Sequence, residues 1–288
     1  MIRSGFFFFL FIILASFGCS DDTVVIPDNA PPPDGTISLL YRENFVKKTY
    51  LGLLGKLPTD AQLATSMVAL DVDNCSEQNR SDLVSSLMTM PDYKYFQFYT
   101  DFNELLDYPS TWDFQWYHTY ILDKINDPNA ADELAYWQQN LALMDTLTGL
   151  WDKYSSGQYD LRDCHARMVN NLMYFYTIGS KSEWPVATFS YFLLRQPTMQ
   201  EGYDCNDMIS GLSIALFLQE GNSMNDLLYI FFNSTEYSEG QIRILFYRYL
   251  NREPTGQELV KYLDIFGENK DLSAVQRAIL LTDEFIKN

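Results

Sequence analysis

The chain has 288 residues, of which 47% are hydrophobic and 20% charged, so it can bury a sizeable core in one or two domains. It carries 38 Asp and Glu against 20 Lys and Arg, which gives a net charge of −18. Because phosphate backbones attract clustered cations, we expect no nucleic-acid partner. Two histidines and four scattered cysteines leave little material for a zinc or haem site, so we expect no metal and no cofactor.

The first predicted element is an export signal at residues 1–18. Arg3 precedes an apolar run at 6–14 that is too short to span a membrane as a permanent helix. The run closes in the six residues 14–19, Leu-Ala-Ser-Phe-Gly-Cys, which resemble the lipobox of bacterial lipoproteins. This resemblance implies lipidation of Cys19 and a membrane anchor. The alternative is a secreted protein that is cleaved near Cys19.

Residues 19–37 are predicted to form an acidic, proline-rich tether. Ser20, Asp21 and Asp22 resemble the export tag of surface lipoproteins of the Bacteroidota, which implies an outer-membrane protein that faces the cell exterior. The periplasmic face is the alternative location. An acidic chain is not attracted to an anionic membrane surface, so the lipid on Cys19 is the expected membrane attachment.

The third predicted element is an all-α body at 38–288. One unit occurs three times in it, at about 41–99, 186–238 and 241–288, and a helical insertion separates the first two copies at about 100–185. The copies align on a Pro-Thr pair that follows a leucine by four residues and an aromatic residue by eight. The aligned base, proline, threonine and Gln or Glu are Lys56, Pro58, Thr59 and Gln62; Arg195, Pro197, Thr198 and Glu201; and Arg252, Pro254, Thr255 and Glu258.

The pattern predicts a helix, a Pro-Thr corner and a second, capped helix. The base is expected in the last turn of the first helix, where it complements the helix dipole, and the proline is expected to stop that helix. Thr-x-x-Gln/Glu is typical of a capping box that starts the next helix. Pairing of the base with an acid or with the dipole is the favoured interpretation, and binding of a partner is the alternative.

Each unit closes in a short amphipathic helix that is followed by an acid and an aromatic residue: Asp92-Tyr93, Glu236-Tyr237 and Glu284-Phe285. No segment shows a convincing alternating pattern for a β-strand. The units can stack as a short solenoid or pack as an irregular bundle, and the periodicity does not distinguish the two.

The stretch from Tyr249 to Leu259 in the third unit carries the clearest resemblance to two families. One is the helical domain that accompanies cytochrome c modules in planctomycete surface proteins, and the other is a domain of unknown function found in bacterial surface and extracellular proteins. The resemblance implies a helical fold, and neither family offers a catalytic residue to transfer. Covalent haem is not expected because the Cys164-His165 pair lacks the earlier cysteine of a Cys-x-x-Cys-His motif.

Candidate chemistry in the body is sparse. Cys164 and Cys205, the latter in a predicted loop, are a candidate disulfide, with unpaired thiols or a pairing with Cys75 as the alternatives. A nucleophile formed by Cys164 and His118 has only the residue types in its favour. The alternating acids of 71–77 predict a solvated loop rather than a calcium site.

Aromatic residues cluster within nine positions at Trp112, Trp116, Tyr117 and Tyr120. Exposed rings there would form a platform for glycans, whereas buried rings would be part of the helical core. The sequence favours a non-catalytic, lipid-anchored scaffold or adaptor on the surface of a Gram-negative bacterium, with other exported or outer-membrane proteins as partners. The alternatives are a surface glycan-binding accessory lipoprotein with a polysaccharide partner, and a hydrolase of unknown class.

Overall fold

The computed structural model describes residues 37–72, 74–267 and 270–287. The predicted signal, the candidate lipidation site Cys19 and the export tag of Ser20, Asp21 and Asp22 lie outside these residues. In the described ranges the all-α prediction is confirmed, because helices account for nearly all of the regular structure. No helix in these ranges is both long and apolar enough to cross a membrane.

The elements follow one another in the order of the predicted units. The first unit holds α1 (Leu39–Leu54), α2 (Asp60–Asp71), α3 (Glu77–Met88) and α4 (Pro91–Leu105). The insertion holds α5 (Thr111–Asn126), α6 (Leu134–Thr148), α7 (Leu150–Ser155), α8 (Leu161–Met168) and α9 (Leu172–Thr177), with short 3-10 helices at Pro128–Glu133 and Lys181–Glu183. The second unit holds α10 (Trp184–Phe192), α11 (Met199–Ile209), β1 (Ile214–Leu216), β2 (Gln219–Gly221) and α12 (Met224–Asn233). Helix α13 (Thr235–Leu250) begins in the last four residues of the second unit and continues into the third, which also holds α14 (Gly256–Phe266), α15 (Leu272–Leu280) and α16 (Asp283–Lys287).

The β1–β2 hairpin was not predicted. Ile214 lies opposite Gly221 in an antiparallel pair of three-residue strands. Its two-residue turn is formed by Phe217 and Leu218, both at positive φ, in place of the Gly and Asn that usually mark such turns. Strands this short, joined by apolar turn residues, leave no recognisable pattern in the sequence.

All three predicted capping boxes are present. The hydroxyls of Thr59, Thr198 and Thr255 each accept from the backbone N–H three residues later. In return, each threonine N–H donates to the side chain of that later residue, at 2.9, 2.7 and 2.8 Å. The second helix of each unit therefore begins where the sequence predicts.

The first helix of each unit ends differently from the prediction. A residue in the left-handed region stands three positions before each proline: Gly55 (φ 69°), Leu194 (φ 55°) and Asn251 (φ 55°). This residue turns the chain out of the helix before the proline is reached. The predicted placement of Lys56, Arg195 and Arg252 in the last helical turn is therefore wrong, because each lies two or three residues beyond the helix end.

The base of each corner pairs with acids. Arg252 donates to Glu258 at 2.7 and 2.9 Å and to Glu284 at 2.5 and 2.6 Å. Arg195 makes the same two contacts, with Glu201 and Glu236. The first acid belongs to the capping box and the second begins the closing segment of the unit, so the arginine ties the two halves of the unit together.

The first unit has a reduced form of this cluster, in which Lys56 contacts Asp92 at 2.7 Å. The capping residue there is the neutral Gln62, which offers no second charge. In the other two units the guanidinium also lies over the aromatic ring that stands eight residues before the proline. It is 5.0 Å from the ring centre of Phe189 in the second unit and 5.2 Å from that of Phe246 in the third.

The described residues of the body form two hydrophobic cores. The first and third units share one, which we call the terminal core, and the insertion and the second unit share the other, which we call the central core. Helix α4 contributes Tyr93 to the terminal core and Phe98 to the central core, while α13 contributes Phe246 and Tyr237 respectively. A linear solenoid packs each unit only on its neighbours. Here the first and last units pack together, as in a closed bundle.

The predicted Cys164–Cys205 disulfide is wrong. Cys75, Cys164 and Cys205 are all free and buried. Cys205 is part of α11 and not of a loop, and both Cys164 and Cys205 point into the central core, where they are 0% exposed. They serve there as small apolar side chains.

Candidate functional sites

Helix α5 carries an exposed aromatic surface. Ile121 is the only one of its sixteen residues that is buried. Trp112 and Trp116, one turn apart, are 65% and 41% exposed. The ring of Trp116 is parallel to that of Tyr120, with a centroid separation of 5.4 Å and an interplanar angle of 2°. We call Trp112, Trp116, Tyr117 and Tyr120 the aromatic face.

The two tyrosines of the aromatic face anchor it to the body. Tyr117 meets the ring of Tyr176 edge-on at 5.8 Å, and Tyr120 meets Trp137 of α6 edge-on at 5.7 Å. The ammonium group of Lys124 lies 5.7 Å from the ring centre of Tyr120. Because these contacts hold Tyr117 and Tyr120, and both of these rings contact Trp116, the indole of Trp116 has little conformational freedom to lose on binding.

A groove rich in amide side chains lies beside this surface. It consists of two cavities of about 540 and 140 Å³ that share Leu143, Asn170 and Asn225. We call this the amide groove, and its further polar and aromatic lining residues are Tyr136, Gln139, Asn140, Thr146, Tyr159, Arg162, Asp163, Arg167, Phe175, Lys181, Ser223, Tyr229, Phe232 and Asn233.

The charges in the amide groove are largely balanced. Arg162 donates to Asn233 at 2.7 Å and to Asp160 at 3.1 Å. Arg167 donates to the backbone carbonyl of Asp163 at 2.7 Å and lies 4.0 Å from the ring centre of Tyr159. The groove therefore presents amides and aromatic rings in place of a free cationic patch.

The groove and the aromatic face meet through two pairs of adjacent residues. On α6, Tyr136 lines the groove while Trp137 supports the aromatic face, and their ring centres are 5.0 Å apart. On α9, Phe175 lines the groove while Tyr176 contacts the aromatic face. The same two helices, α6 and α9, therefore contribute residues both to the groove and to the support of the aromatic face.

His118 forms no nucleophilic pair with Cys164. His118 is exposed on α5, with its Nε2 3.5 Å from Asp145. Cys164 is fully buried in α8, and burial raises the pKa of its thiol. The residues of the Cys164–His118 hypothesis therefore lie in different environments, one in the solvent and one in the central core.

His165 is buried and has a partner at each ring nitrogen. Its Nδ1 lies 2.9 Å from the Tyr237 hydroxyl and its Nε2 2.9 Å from Asp101. Asp101 also accepts from the hydroxyl of Tyr191, which donates to Glu104 as well. Burial acts to raise the pKa of Asp101, but the hydrogen bonds from His165 and Tyr191 and the charges of His165 and Arg248 outweigh it and lower that pKa.

Asp101 opens onto a cavity of about 270 Å³ between α4 and α13, which we call the junction pocket. Its polar lining residues are Gln97, Asp101, Glu104, Ser190, Tyr191, Gln241 and Arg248, and its aliphatic lining residues are Leu161, Leu194, Ile244, Leu245 and Leu272. The pocket was not predicted from the sequence, because its two main helices are far apart in the chain. The only local signal is the i, i+4, i+7 spacing of the polar residues on α4.

The junction pocket contains unpartnered polar atoms. Gln97 and Gln241 are 4% and 6% exposed. The side-chain nitrogen of each is buried and has no hydrogen-bond partner in the described part of the chain. Buried polar groups are nearly always hydrogen-bonded, so each of these two donors is left for water or a ligand to satisfy.

No described residues form a group of three or more His, Cys, Asp or Glu side chains that could hold a metal ion. In the 71–77 segment, Arg42 donates to Asp71 and to the side-chain oxygen of Asn74. Asp73 is outside the described residues. Comparisons with protein-family models, curated proteins and solved structures gave no match to this chain.

Proposed function

We propose that this protein is a lipid-anchored surface protein of a Gram-negative bacterium that binds polysaccharide without chemically altering it. The observation that carries the proposal is the exposure of Trp112 and Trp116 on α5. Exposed apolar side chains that are grouped on one face mark an interaction surface more often than scattered ones do. The aliphatic faces of sugar rings stack on such side chains, and Trp116 presents a flat ring backed by Tyr120.

The amide groove supports the same function. Sugar hydroxyls both donate and accept hydrogen bonds, and the side-chain amides of Asn and Gln do the same. Asn170 and Asn225 lie where the two cavities of the groove join. These amides would contact the hydroxyls of a polysaccharide that lies in the groove.

The anchor and the tether are the sequence-based part of the proposal. Lipid on Cys19, followed by the export tag and a spacer rich in proline, would hold the body away from the outer membrane. This arrangement suits an accessory protein that retains polysaccharide at the cell exterior.

A protein scaffold is less well supported by the geometry. The bases of the corners, which were the candidate contacts for a partner, are already paired with acids in their own units. Both ring nitrogens of His165 are likewise engaged, so it offers no free base for a hydrolase. A protein partner is the alternative ligand of the aromatic face, and the binding experiment below distinguishes it from polysaccharide.

The test is co-sedimentation of the full chain, purified in detergent, with insoluble cellulose, chitin and starch. The double variant Trp112→Ala/Trp116→Ala should lose at least about tenfold in affinity for the polysaccharide that binds the wild type. Tyr203→Ala is the matched control, since Tyr203 is 61% exposed on α11 and should be dispensable. Equal binding by the double variant, or recovery of only a crosslinked protein from cells, would reject the proposal.

A further inference from the structure

The junction pocket lies at the end of a buried chain of hydrogen bonds. The Tyr249 hydroxyl donates to the backbone carbonyl of Gly52 at 3.1 Å. A carbonyl oxygen only accepts, so the Tyr249 oxygen is left to accept from Gln276, whose side-chain nitrogen lies 3.2 Å away. The Gln276 oxygen accepts in turn from the Tyr93 hydroxyl.

This chain fixes the orientation of Gln97. The nitrogen of Gln276 has a second hydrogen, which it donates to the side-chain oxygen of Gln97 at 2.9 Å. The amide nitrogen of Gln97 must therefore point away from Gln276, and it is this nitrogen that has no partner in the described structure. Reversing the Gln97 amide would place its nitrogen against the nitrogen of Gln276, so that two donors would face each other. The Gly52 carbonyl thus sets the direction of every hydrogen bond in the chain, and Gln97 is left to offer donors to the pocket.

The two long walls of the pocket run in opposite directions. Asp101 of α4 and Tyr237 of α13 both contact His165, while Gln97 of α4 contacts the same Gln276 as Tyr249 of α13. The later part of α4 is therefore beside the earlier part of α13, and the earlier part of α4 is beside the later part of α13.

The pocket is consequently polarised. The Gln97 amide and the Arg248 guanidinium supply donors at the end near Tyr249, and the Gln241 amide, four residues after Tyr237 on α13, supplies a donor between the two ends. The other end carries the carboxylates of Asp101 and Glu104. The lowered pKa of Asp101 keeps its carboxylate negatively charged at neutral pH.

We propose that the junction pocket binds a small zwitterion, an α-amino acid with an aliphatic side chain. Its carboxylate would accept from Gln97, Gln241 and Arg248, and its ammonium group would donate to Asp101. The aliphatic side chain would pack on the leucine and isoleucine wall formed by residues such as Ile244 and Leu245. The volume of about 270 Å³ is slightly below the range of about 300–1,000 Å³ for drug-sized ligands, as suits a small metabolite.

A sugar fits this pocket less well than an amino acid. Among the described lining residues Tyr191 is the only aromatic one, and its hydroxyl is shared between Asp101 and Glu104. The remaining walls are aliphatic, and charges of opposite sign lie at opposite ends. Binding of an amino acid here does not depend on polysaccharide binding, because none of the lining residues belongs to the aromatic face or to the amide groove.

The test is isothermal titration calorimetry of the full chain in detergent with four probes: leucine, leucine methyl ester, N-acetylleucine and glucose. Leucine should bind, and the two blocked forms should bind at least about tenfold more weakly, because each lacks one of the two charges. Gln241→Leu should weaken leucine binding at least tenfold while the protein stays folded. Gln257→Leu, an exposed position on α14 outside the pocket, is the matched control.

The outcomes separate clearly. Each of four results would overturn the proposal. They are equal binding of leucine and its ester, binding of glucose in place of leucine, no binding of any probe, and unchanged binding of leucine by Gln241→Leu. Asp101→Asn gives a second readout, since it should weaken leucine but leave N-acetylleucine unchanged. Loss of polysaccharide binding in the variants of the aromatic face has no bearing on any of these results.

Discussion

Gly240 is the position where a single added methyl group should do most damage. It lies in α13 and is buried against the end of α10. A Cβ atom at this position would be 1.9 Å from the carbonyl oxygen of Phe192 and 3.1 Å from the Cα of Leu193. Both neighbours are backbone atoms, which cannot rotate away as a side chain can. Gly240→Ala must therefore push α13 away from the second corner.

Two opposing effects set the size of the change. Alanine is better than glycine inside a helix by about 1 kcal/mol. Overpacking a core costs about 1–3 kcal/mol and sometimes more, and a contact of 1.9 Å with backbone belongs at the upper end of that range. We expect a net loss of about 2 kcal/mol in the free energy of unfolding, which corresponds to a fall of about 4–8 °C in Tm for a body of this size.

The assay is thermal and urea unfolding of the full chain, followed by circular dichroism. Gly202→Ala in α11 is the matched control, because no atom of the described chain lies within 4 Å of the place that its added Cβ would occupy. The helix propensity of alanine should therefore raise stability there by about 0.5–1 kcal/mol. If Gly240→Ala proves as stable as Gly202→Ala, the close packing of α13 on the second corner is wrong.

Three further predictions concern the corners and the junction pocket. The hydrogen bond from Arg252 lowers the pKa of Glu258 to about 2, so its stabilisation is complete above the ordinary pKa near 4.5 and is lost as the pH falls towards 2. These side chains are about a third exposed and solvent screens them, so Arg252→Met should cost about 1 kcal/mol at pH 7 and almost nothing at pH 2, as measured by urea unfolding at each pH. Thr255→Ala should cost about 1 kcal/mol in the same assay, and an unchanged midpoint would contradict the capping box. Gln241→Leu should raise the free energy of unfolding by about 1–3 kcal/mol because it removes a buried amide without a partner in the described chain, and a loss of stability would show that this amide is satisfied.

The Pro-Thr corners were predictable where their physics is local. A threonine and the Gln or Glu three residues later form a capping box from their own chain segment, and all three are present. The helix ends were predicted incorrectly, since Leu194 and Asn251 adopt the left-handed conformation that the sequence marks clearly only at Gly55. A leucine at positive φ is held there by the surrounding structure rather than by its own preference.

The arginine clusters were half predictable. Pairing of the base with an acid follows from the repeat, and Glu258 lies only six residues from Arg252. The second acid, Glu284, is 32 residues away, and its approach depends on how α15 and α16 fold back on α13 and α14. In all three units an acid stands directly before the closing aromatic residue. A comparison of the three units could have used this regular position to predict that the base also contacts the second acid.

The candidate sites depended on tertiary structure. The sequence located the aromatic cluster at Trp112 and Trp116 but left its exposure open, because helical spacing suits a core and a surface equally. The junction pocket combines Gln97 with Gln241, which lie on helices that only the closed arrangement of the units brings together. The disulfide prediction failed for a local reason, since the polar neighbours of Cys205 suggested a loop where the chain forms a helix.

The most direct test of the central claim uses intact cells that carry the protein on their surface. Cells with the wild-type chain should retain a fluorescently labelled form of whichever of cellulose, chitin or starch co-sediments with the purified protein. Cells with Trp112→Ala/Trp116→Ala should retain only background label, although protease shaving shows equal amounts of surface protein. Retention of the polysaccharide by the double variant at the wild-type level would contradict the assignment of the aromatic face as the binding surface.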